Sequence, residues 1–196
     1  MNRQERKRRQ KGPAHSLRVE WRSWCANKGP VLRFVLKFGF LLALFYGLLA
    51  TPYFDRMLYS YLEVNAWLSN AILNGFGQHT QVSEVTIESP QFAIAIRRGC
   101  DAVEPTWLFC AAILSFRAPL MRKLLGILAG TVLLQLLNLI RIVTLYWIGL
   151  YVPGIFDSAH MEIWPTAFII VAIVLFIGWI EWSPNPQKSH SEPASL

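Results

Sequence analysis

Long runs of apolar residues constrain the fold of this chain more than any other feature. A helix needs about 20 mostly apolar residues, at ~1.5 Å per residue, to cross the hydrocarbon core of a bilayer. Four runs meet or approach this requirement: 31–50, 106–118, 123–150 and 163–182. With 54% hydrophobic and only 16% charged residues, the chain is too apolar for an ordinary soluble domain. The sequence therefore predicts an all-α polytopic membrane protein with about four transmembrane helices.

Basic residues next to these runs predict which ends face the cytoplasm. Nine of the nineteen Lys and Arg residues fall in an N-terminal arm, residues 1–30, and the link between the second and third runs carries Arg117, Arg122 and Lys123. Short flanks rich in Lys and Arg stay in the cytoplasm, so the arm and the link belong there. The first run lacks a small-residue cleavage site, which indicates an uncleaved anchor. Attraction to anionic lipid, ~1 kcal/mol per cation, explains the charges of the arm better than nucleic-acid binding does.

Alternation of the spans assigns the remaining segments. Residues 51–104 and 151–162 are then extracytoplasmic, and they carry eight of the twelve acids. The polar tail, residues 183–196, returns to the cytoplasm as a disordered end. A membrane-embedded domain therefore covers residues 31–182.

The first extracytoplasmic segment contains two predicted elements. Residues 53–73 place apolar side chains at helical spacing beside acids, which is typical of an amphipathic helix at the membrane interface. Residues 85–96 alternate apolar and polar side chains on both sides of Ser89-Pro90, which predicts a small β-hairpin. The second arm of this hairpin runs into Cys100, so the thiol lies where a strand ends and a membrane helix begins.

Cys100 stands among charges in the stretch RRGCDAVEP, residues 97–105. Of the other two cysteines, Cys25 is on the predicted cytoplasmic side, and Cys110 is about ten residues, or ~15 Å of helix, further along the second span. Cys100 therefore has no intrachain disulfide partner on its side of the membrane, which also argues against a thiol oxidoreductase. An unpaired thiol in an oxidising compartment is used chemically, pairs with another chain, or is a small apolar residue at a helix start. The residues alone leave these alternatives open.

Arg141 is a second anomaly, because it interrupts the third apolar run. It lies 18 residues, or ~27 Å, from the cytoplasmic end of that run and hence near the outer face. A cation in a span costs ~2.5 to 3.5 kcal/mol to insert and marks a functional site or a helix-packing contact. Thr131, Gln135, Asn138 and Arg141 follow helical spacing. They form one polar stripe that is expected to face protein or a wet cavity.

His160 lies in the short outer segment, three residues after Asp157. Cys100, Arg141 and His160 come from three separate elements, yet all three map to the same membrane face. A thiolate nucleophile needs a base or a cationic field, and an acyl intermediate needs a donor for its oxyanion. Imidazole exchanges protons near neutral pH, whereas guanidinium stays charged. The three residues therefore have two interpretations. They could carry out acyl transfer, or the chain could be a non-catalytic assembly or channel subunit in which the arginine only joins helices.

The order Gly99-Cys100, Asn138-Leu-Ile-Arg141-Ile and His160, each at the outer end of a membrane segment, resembles the exosortase/archaeosortase family. The small size, the basic N-terminus and the stretch GCDAVEP most resemble its exosortase H branch. The resemblance implies a multi-pass cysteine transpeptidase of the bacterial cytoplasmic (inner) membrane, with its active site on the extracytoplasmic face. Its expected partners are the C-terminal signal helix of an exported protein, of IPTLxxWG type in that branch, and an unknown acceptor nucleophile.

The resemblance also assigns roles to individual residues. Cys100 would be the nucleophile, Arg141 would stabilise the transition state, and His160 would be the general acid/base. Supporting residues are expected at five further positions: Asn138, Arg97, Arg98, Asp101 and Asp157. Asp101 departs from the family pattern, because many members carry a small residue and then glycine after the cysteine. The charge of Asp101 would raise the pKa of the thiol, and Arg97 and Arg98 would offset that effect. Neither a cofactor nor a metal is expected, because the chain has no Gly-rich phosphate loop and no acid-histidine cluster.

Overall fold

The computed structural model describes the backbone of residues 13–183, with side chains from residue 28 onward. The helices are α1 (Pro13–Leu49), α2 (Pro52–Gly75), α3 (Val103–Ser115), α4 (Leu120–Tyr151) and α5 (Trp164–Trp182). Between α2 and α3 lie three strands: β1 (Gln81–Ser83), β2 (Thr86–Glu88) and β3 (Ala93–Ala95). Three short turns connect α4 to α5: a 3₁₀ turn (Pro153–Ile155), an α-helical turn (Phe156–Ser158) and a π-helical turn (Ala159–Ile163).

Among the residues that the structure describes, three helical segments are long and apolar enough to cross a membrane: Lys28–Leu49, Leu120–Tyr151 and Pro153–Trp182. Helix α3 is apolar but has only 13 residues, about 20 Å. The predicted all-α membrane fold, with about four membrane helices, is confirmed, and α3 is the short member. Its bounds lie three residues earlier than predicted at both ends. The helix ends at Ser115 because the chain becomes extended at Phe116.

Helix α1 begins well before the predicted first span. Its backbone is helical from Pro13, so part of the predicted N-terminal arm continues this helix. The start of that arm, residues 1–12, lies outside the described residues. Nearly all of the predicted disordered tail, from residue 184 onward, also lies outside them.

The predicted hairpin forms from β2 and β3, which pair antiparallel with Ile87 opposite Ile94. A third strand, β1, adds to the other edge of β2, in the order β1-β2-β3. Strand β1 was not predicted, because a strand of three residues gives too little alternation to be recognised. The sheet is anchored by Ile87 and Ile96, whose side chains are buried against α2 and α4.

Buried side chains form two clusters along α4. The first cluster joins α2, the sheet and the second half of α4 through Leu58, Leu62, Leu73, Ile87, Ile142 and Tyr146. The second cluster joins α3, α5 and the first half of α4 through Phe109, Ile113, Leu134, Phe168 and Trp179. Cys100 packs against the first cluster, and Ala102 belongs to the second. The loop that carries the thiol therefore lies where the two clusters meet.

The predicted amphipathic helix is α2, and it packs lengthwise against α4. Asn65 contacts Asn138, and further along both helices Phe76 packs against Trp147. The contacts advance in the same direction on both helices, so α2 runs parallel to the C-terminal half of α4. This packing brings polar side chains of α2 to the polar stripe of α4.

Candidate active site

Cys100 lies in a tight loop between β3 and α3. Two residues of this loop have positive φ, Gly99 at 88° and Ala102 at 56°. Glycine adopts such a conformation freely, whereas an alanine there costs roughly 1 kcal/mol. The N–H of Cys100 donates to the carbonyl oxygen of Arg97 at 2.9 Å. The two left-handed residues turn the chain sharply on either side of the thiol and expose it to the side chains of α4 and of the π turn.

Asp101 organises this loop from inside. Its Oδ1 accepts the N–H of Val103, the first residue of α3, at 3.0 Å. A carboxylate in this place satisfies an amide that a helix start leaves without a partner. Burial raises the pKa of the Asp101 carboxyl, and hydrogen bonds from the backbone amides of Val103, Asp101 and Gly99 oppose that rise. Asp101 is therefore more than a charge next to the thiol, because it also caps α3.

The three side chains singled out in the sequence meet in the half of the bundle that contains the C-terminal end of α4. The Sγ of Cys100 lies 2.6 Å from the Nε2 of His160. The Nη2 of Arg141 lies 3.6 Å from the same sulfur, and its Nη1 donates to the carbonyl oxygen of Gly99 at 3.1 Å. Arg141 is only 4% exposed, and its guanidinium lies 5.7 Å above the ring of Phe168. A thiol, an imidazole and a buried guanidinium thus share one small space, although 60 residues separate the first from the second.

The π-helical turn (Ala159–Ile163) carries His160. A π turn is wider than an α turn and is common at functional sites. The ring of Phe156, one turn earlier, stacks on the imidazole at a centroid distance of 5.9 Å. Asp157 is exposed and acts on His160 electrostatically. The widened turn and the aromatic contact thus fix the direction of the imidazole, which the sequence spacing did not predict.

The charges around Cys100 act on its pKa in opposite directions. Burial raises the pKa of the thiol and is the largest effect; Arg141 lowers it, and Asp101 raises it. The net direction is upward, so burial outweighs the effect of the neighbouring cation on the thiol pKa. The sulfur and the Nε2 of His160 lie within hydrogen-bond distance of each other.

Arg97 and Arg98 were expected to offset Asp101, and the structure gives them other contacts. Arg98 forms an ion pair with Asp55 of α2, and both side chains are more than half exposed. The side chain of Arg97 is exposed, and its backbone carbonyl, not its guanidinium, meets Cys100. The cation that acts most strongly on the thiol is Arg141.

A chain of buried polar side chains supports the site from behind. Asn138, which is fully buried, donates through Nδ2 to the Oδ1 of Asn65 at 3.1 Å, and Gln135 donates to the same oxygen at 2.6 Å. The hydroxyl of Tyr61 lies within hydrogen-bond distance of the Gln135 side-chain oxygen and, at 3.0 Å, of the carbonyl oxygen of Asp101. The polar stripe predicted on α4 therefore does face protein, and α2 connects it to the loop that holds the thiol.

Tyr61 and Asn65 were missed in the sequence, because residues 53–73 were assigned only an interfacial role. A signal was present. Asn65 occupies the apolar spacing of α2 together with Leu58 and Leu62, and all three are buried. A polar residue on the buried stripe of an amphipathic helix needs a buried partner.

Among the residues whose side chains the structure describes, 28–183, there are two free thiols, Cys100 and Cys110. Within residues 28–183 no three His, Cys, Asp or Glu side chains are grouped so that they could hold a metal ion. The arrangement around Cys100 has the parts that thiol-based acyl transfer requires, namely a nucleophile, a base and a buried cation.

Comparison with protein families gives one match. The family described as transmembrane exosortase (Exosortase_EpsH) matches residues 24–178, about four fifths of the chain, a range that includes all three converging side chains. No curated protein and no solved structure matches the chain.

Proposed function

Because this chain belongs to the transmembrane exosortase family, whose members are membrane enzymes of protein sorting, we propose that it is a cysteine-type transpeptidase or peptidase. It cleaves the C-terminal sorting signals of exported proteins through a thioester on Cys100. One observation carries the proposal: the sulfur of Cys100 lies 2.6 Å from the Nε2 of His160 and 3.6 Å from the guanidinium of Arg141.

The first half-reaction begins from a neutral thiol. As the sulfur attacks the scissile carbonyl carbon, His160 accepts the thiol proton at Nε2, and a carbon–sulfur bond forms. The tetrahedral intermediate then collapses with cleavage of the carbon–nitrogen bond. The imidazolium returns its proton to the leaving amine, which departs with the membrane tail of the substrate. General acid–base transfer of this kind typically contributes 10²- to 10⁴-fold to a rate.

Arg141 supplies the electrostatic part of the mechanism. Its guanidinium stays charged and cannot serve as a base. It lies beside the sulfur, where negative charge passes from the thiolate to the carbonyl oxygen during attack. Because its Nη1 also donates to the Gly99 carbonyl, the cation is held in place before the substrate binds. Such preorganised donors typically account for 10²- to 10³-fold in kcat.

The second half-reaction resolves the thioester. An acceptor amine, or water, gives a proton to the neutral imidazole and attacks the thioester carbon. The carbon–sulfur bond breaks, the sulfur takes the proton back, and the substrate is released joined to its acceptor or as a free acid.

The proposed substrate is an exported protein stalled in the membrane by a C-terminal apolar helix and a basic cytoplasmic cluster, with a signal of IPTLxxWG type. We place the enzyme in the bacterial inner membrane, with both termini cytoplasmic and the site on the outer face, because the basic flanks favour this orientation.

The loop geometry accounts for the departure from the family pattern after the cysteine. Many members have glycine at the second position, and in this chain Ala102 adopts there a positive φ of 56°. The position keeps the left-handed backbone that glycine favours. The preceding Asp101 then serves as the cap of α3 described above.

The test is processing of a co-expressed substrate that carries an epitope tag and such a signal. We expect Cys100→Ala and His160→Ala to accumulate the uncleaved form. Cys110→Ala is the matched control, because it removes the other described free thiol, which lies within α3, and it should process normally. Normal processing by Cys100→Ala would refute the thioester mechanism. If both site variants also kept the cellular function, the chain would be a non-catalytic assembly or channel subunit.

A further inference from the structure

An apolar groove lies near the opposite end of α4 from the proposed active site. It has a volume of about 410 Å³ and runs between α3, α4 and α5. Its walls are formed by Phe109, Leu125, Gly126, Ala129, Gly130, Leu133, Leu175, Trp179 and Trp182. No part of the proposed mechanism uses this groove.

The groove has a rigid floor and open sides. At Gly126 and Gly130 the rings of Trp179 and Phe109 pack directly against the backbone of α4, with no room for a Cβ. These rings are buried, whereas Leu125 on the wall is 48% exposed. The groove therefore opens sideways from the bundle, towards the hydrocarbon phase of the bilayer.

Cations surround one end of the groove. Arg122 lies over the ring of Trp182 at 5.3 Å and donates to its carbonyl oxygen at 3.0 Å. The Nζ of Lys123 donates to the carbonyl oxygen of Leu114 at 2.8 Å. Lys37 of α1 is near enough to repel the charge of Lys123. Among the residues that the structure describes, neither Arg122 nor Lys123 forms an ion pair with an acid.

We propose that this groove binds an anionic phospholipid. An acyl chain lies in the groove against Trp179 and Phe109, and the phosphate lies against Arg122 and Lys123. The match is one of charge and polarity: an apolar groove with an exposed wall ends at two cations that form no ion pair with an acid among the described residues. Basic pockets of this kind, between membrane helices, favour anionic headgroups.

A helix of the substrate or of a second copy of this chain could also occupy such a groove. The charges of Arg122 and Lys123 argue against both. The signal helix of the proposed substrate ends in a basic cluster, which Arg122 and Lys123 would repel. A second copy of this chain would bring the same two cations to the contact.

The test uses the full-length protein purified in mixed micelles that contain phosphatidylglycerol and phosphatidylcholine with identical acyl chains. Native mass spectrometry then counts the lipids retained. We expect the wild type to retain phosphatidylglycerol preferentially. The double variant Arg122→Gln/Lys123→Gln should lose this preference by about 25-fold, since ~1 kcal/mol per cation corresponds to about fivefold each. The matched control, Arg56→Gln/Arg97→Gln, removes two exposed cations away from the groove and should keep the preference.

A second pair of variants tests the acyl channel itself. Ala129→Trp fills the groove and should abolish retention of both lipids, whereas Leu128→Trp, on an exposed position outside the groove, should not. Three results would overturn the proposal: equal retention of the two lipids by the wild type, an equal loss in the two double variants, or undiminished retention by Ala129→Trp.

Discussion

Replacing Arg141 separates the two contributions that its guanidinium makes to the site. Its Nη2 lies 3.6 Å from the sulfur of Cys100. At an effective dielectric constant of about 20, a cation and a thiolate at this distance attract each other by about 5 kcal/mol. Because the thiol is only half-buried and solvent screens the pair, this energy is an upper limit. The Arg141 cation is the largest influence that lowers the thiol pKa, so we expect Arg141→Gln to raise that pKa and to slow alkylation of Cys100 at neutral pH.

Arg141→Lys should behave differently. Lysine keeps the positive charge, so the thiol pKa should rise much less than in Arg141→Gln. However, a single ammonium cannot reproduce the planar fork that meets both the sulfur and the Gly99 carbonyl. We therefore expect substrate processing to fall by about 10²-fold with only a small change in thiol reactivity.

The assay is the rate of alkylation of Cys100 by a neutral reagent as a function of pH, in a background that carries Cys25→Ser and Cys110→Ser. Only the thiolate reacts, so the midpoint of the profile reports the thiol pKa. Arg97→Gln is the control, because its side chain is exposed and should leave the midpoint unchanged. An unchanged midpoint in Arg141→Gln, or an equal shift in Arg97→Gln, would refute the electrostatic role.

Three further substitutions have defined outcomes. Asp101→Asn keeps an oxygen for the N–H of Val103 but removes a charge that raises the thiol pKa. The midpoint of the alkylation profile should therefore move to lower pH, and a higher midpoint would contradict this. Tyr61→Phe removes the hydroxyl that meets the Asp101 carbonyl. Substrate processing by folded enzyme should fall about fivefold, which corresponds to one lost hydrogen bond of ~1 kcal/mol. An unchanged rate would show that this contact is not needed. Gly130→Leu forces a side chain into the ring of Phe109. Thermal unfolding in detergent should show that the free energy of unfolding falls by about 1–3 kcal/mol. An unchanged melting temperature would contradict this packing.

The membrane fold was predictable because the thickness of the bilayer sets the length of the apolar run that a spanning helix needs, and such runs are visible in the sequence. The long runs around α1, α4 and α5 left few alternatives. The position of α3 was less well predicted, because its start depends on Asp101, which caps it through the backbone of Val103. The strand β1 was missed, since three residues carry little pattern of their own and the strand is defined by its pairing with β2.

The convergence of Cys100, Arg141 and His160 was anticipated from their common membrane face, but their geometry was not. The direction of the imidazole depends on a π-helical turn, which has no period in the sequence that would reveal it. Tyr61 and Asn65 reach the site because α2 packs lengthwise on α4. Such lateral packing between helices depends on the whole bundle, and local spacing does not encode it.

The most direct test of the account is mass spectrometry of the enzyme after brief reaction with a peptide that carries the sorting signal, followed by an acid quench. The account predicts an adduct on Cys100 with the mass of the N-terminal fragment of the substrate less one water, which hydroxylamine removes and which Cys100→Ala lacks. Cleavage of the peptide at the wild-type rate by Cys100→Ala, with no adduct on the wild-type enzyme, would contradict it.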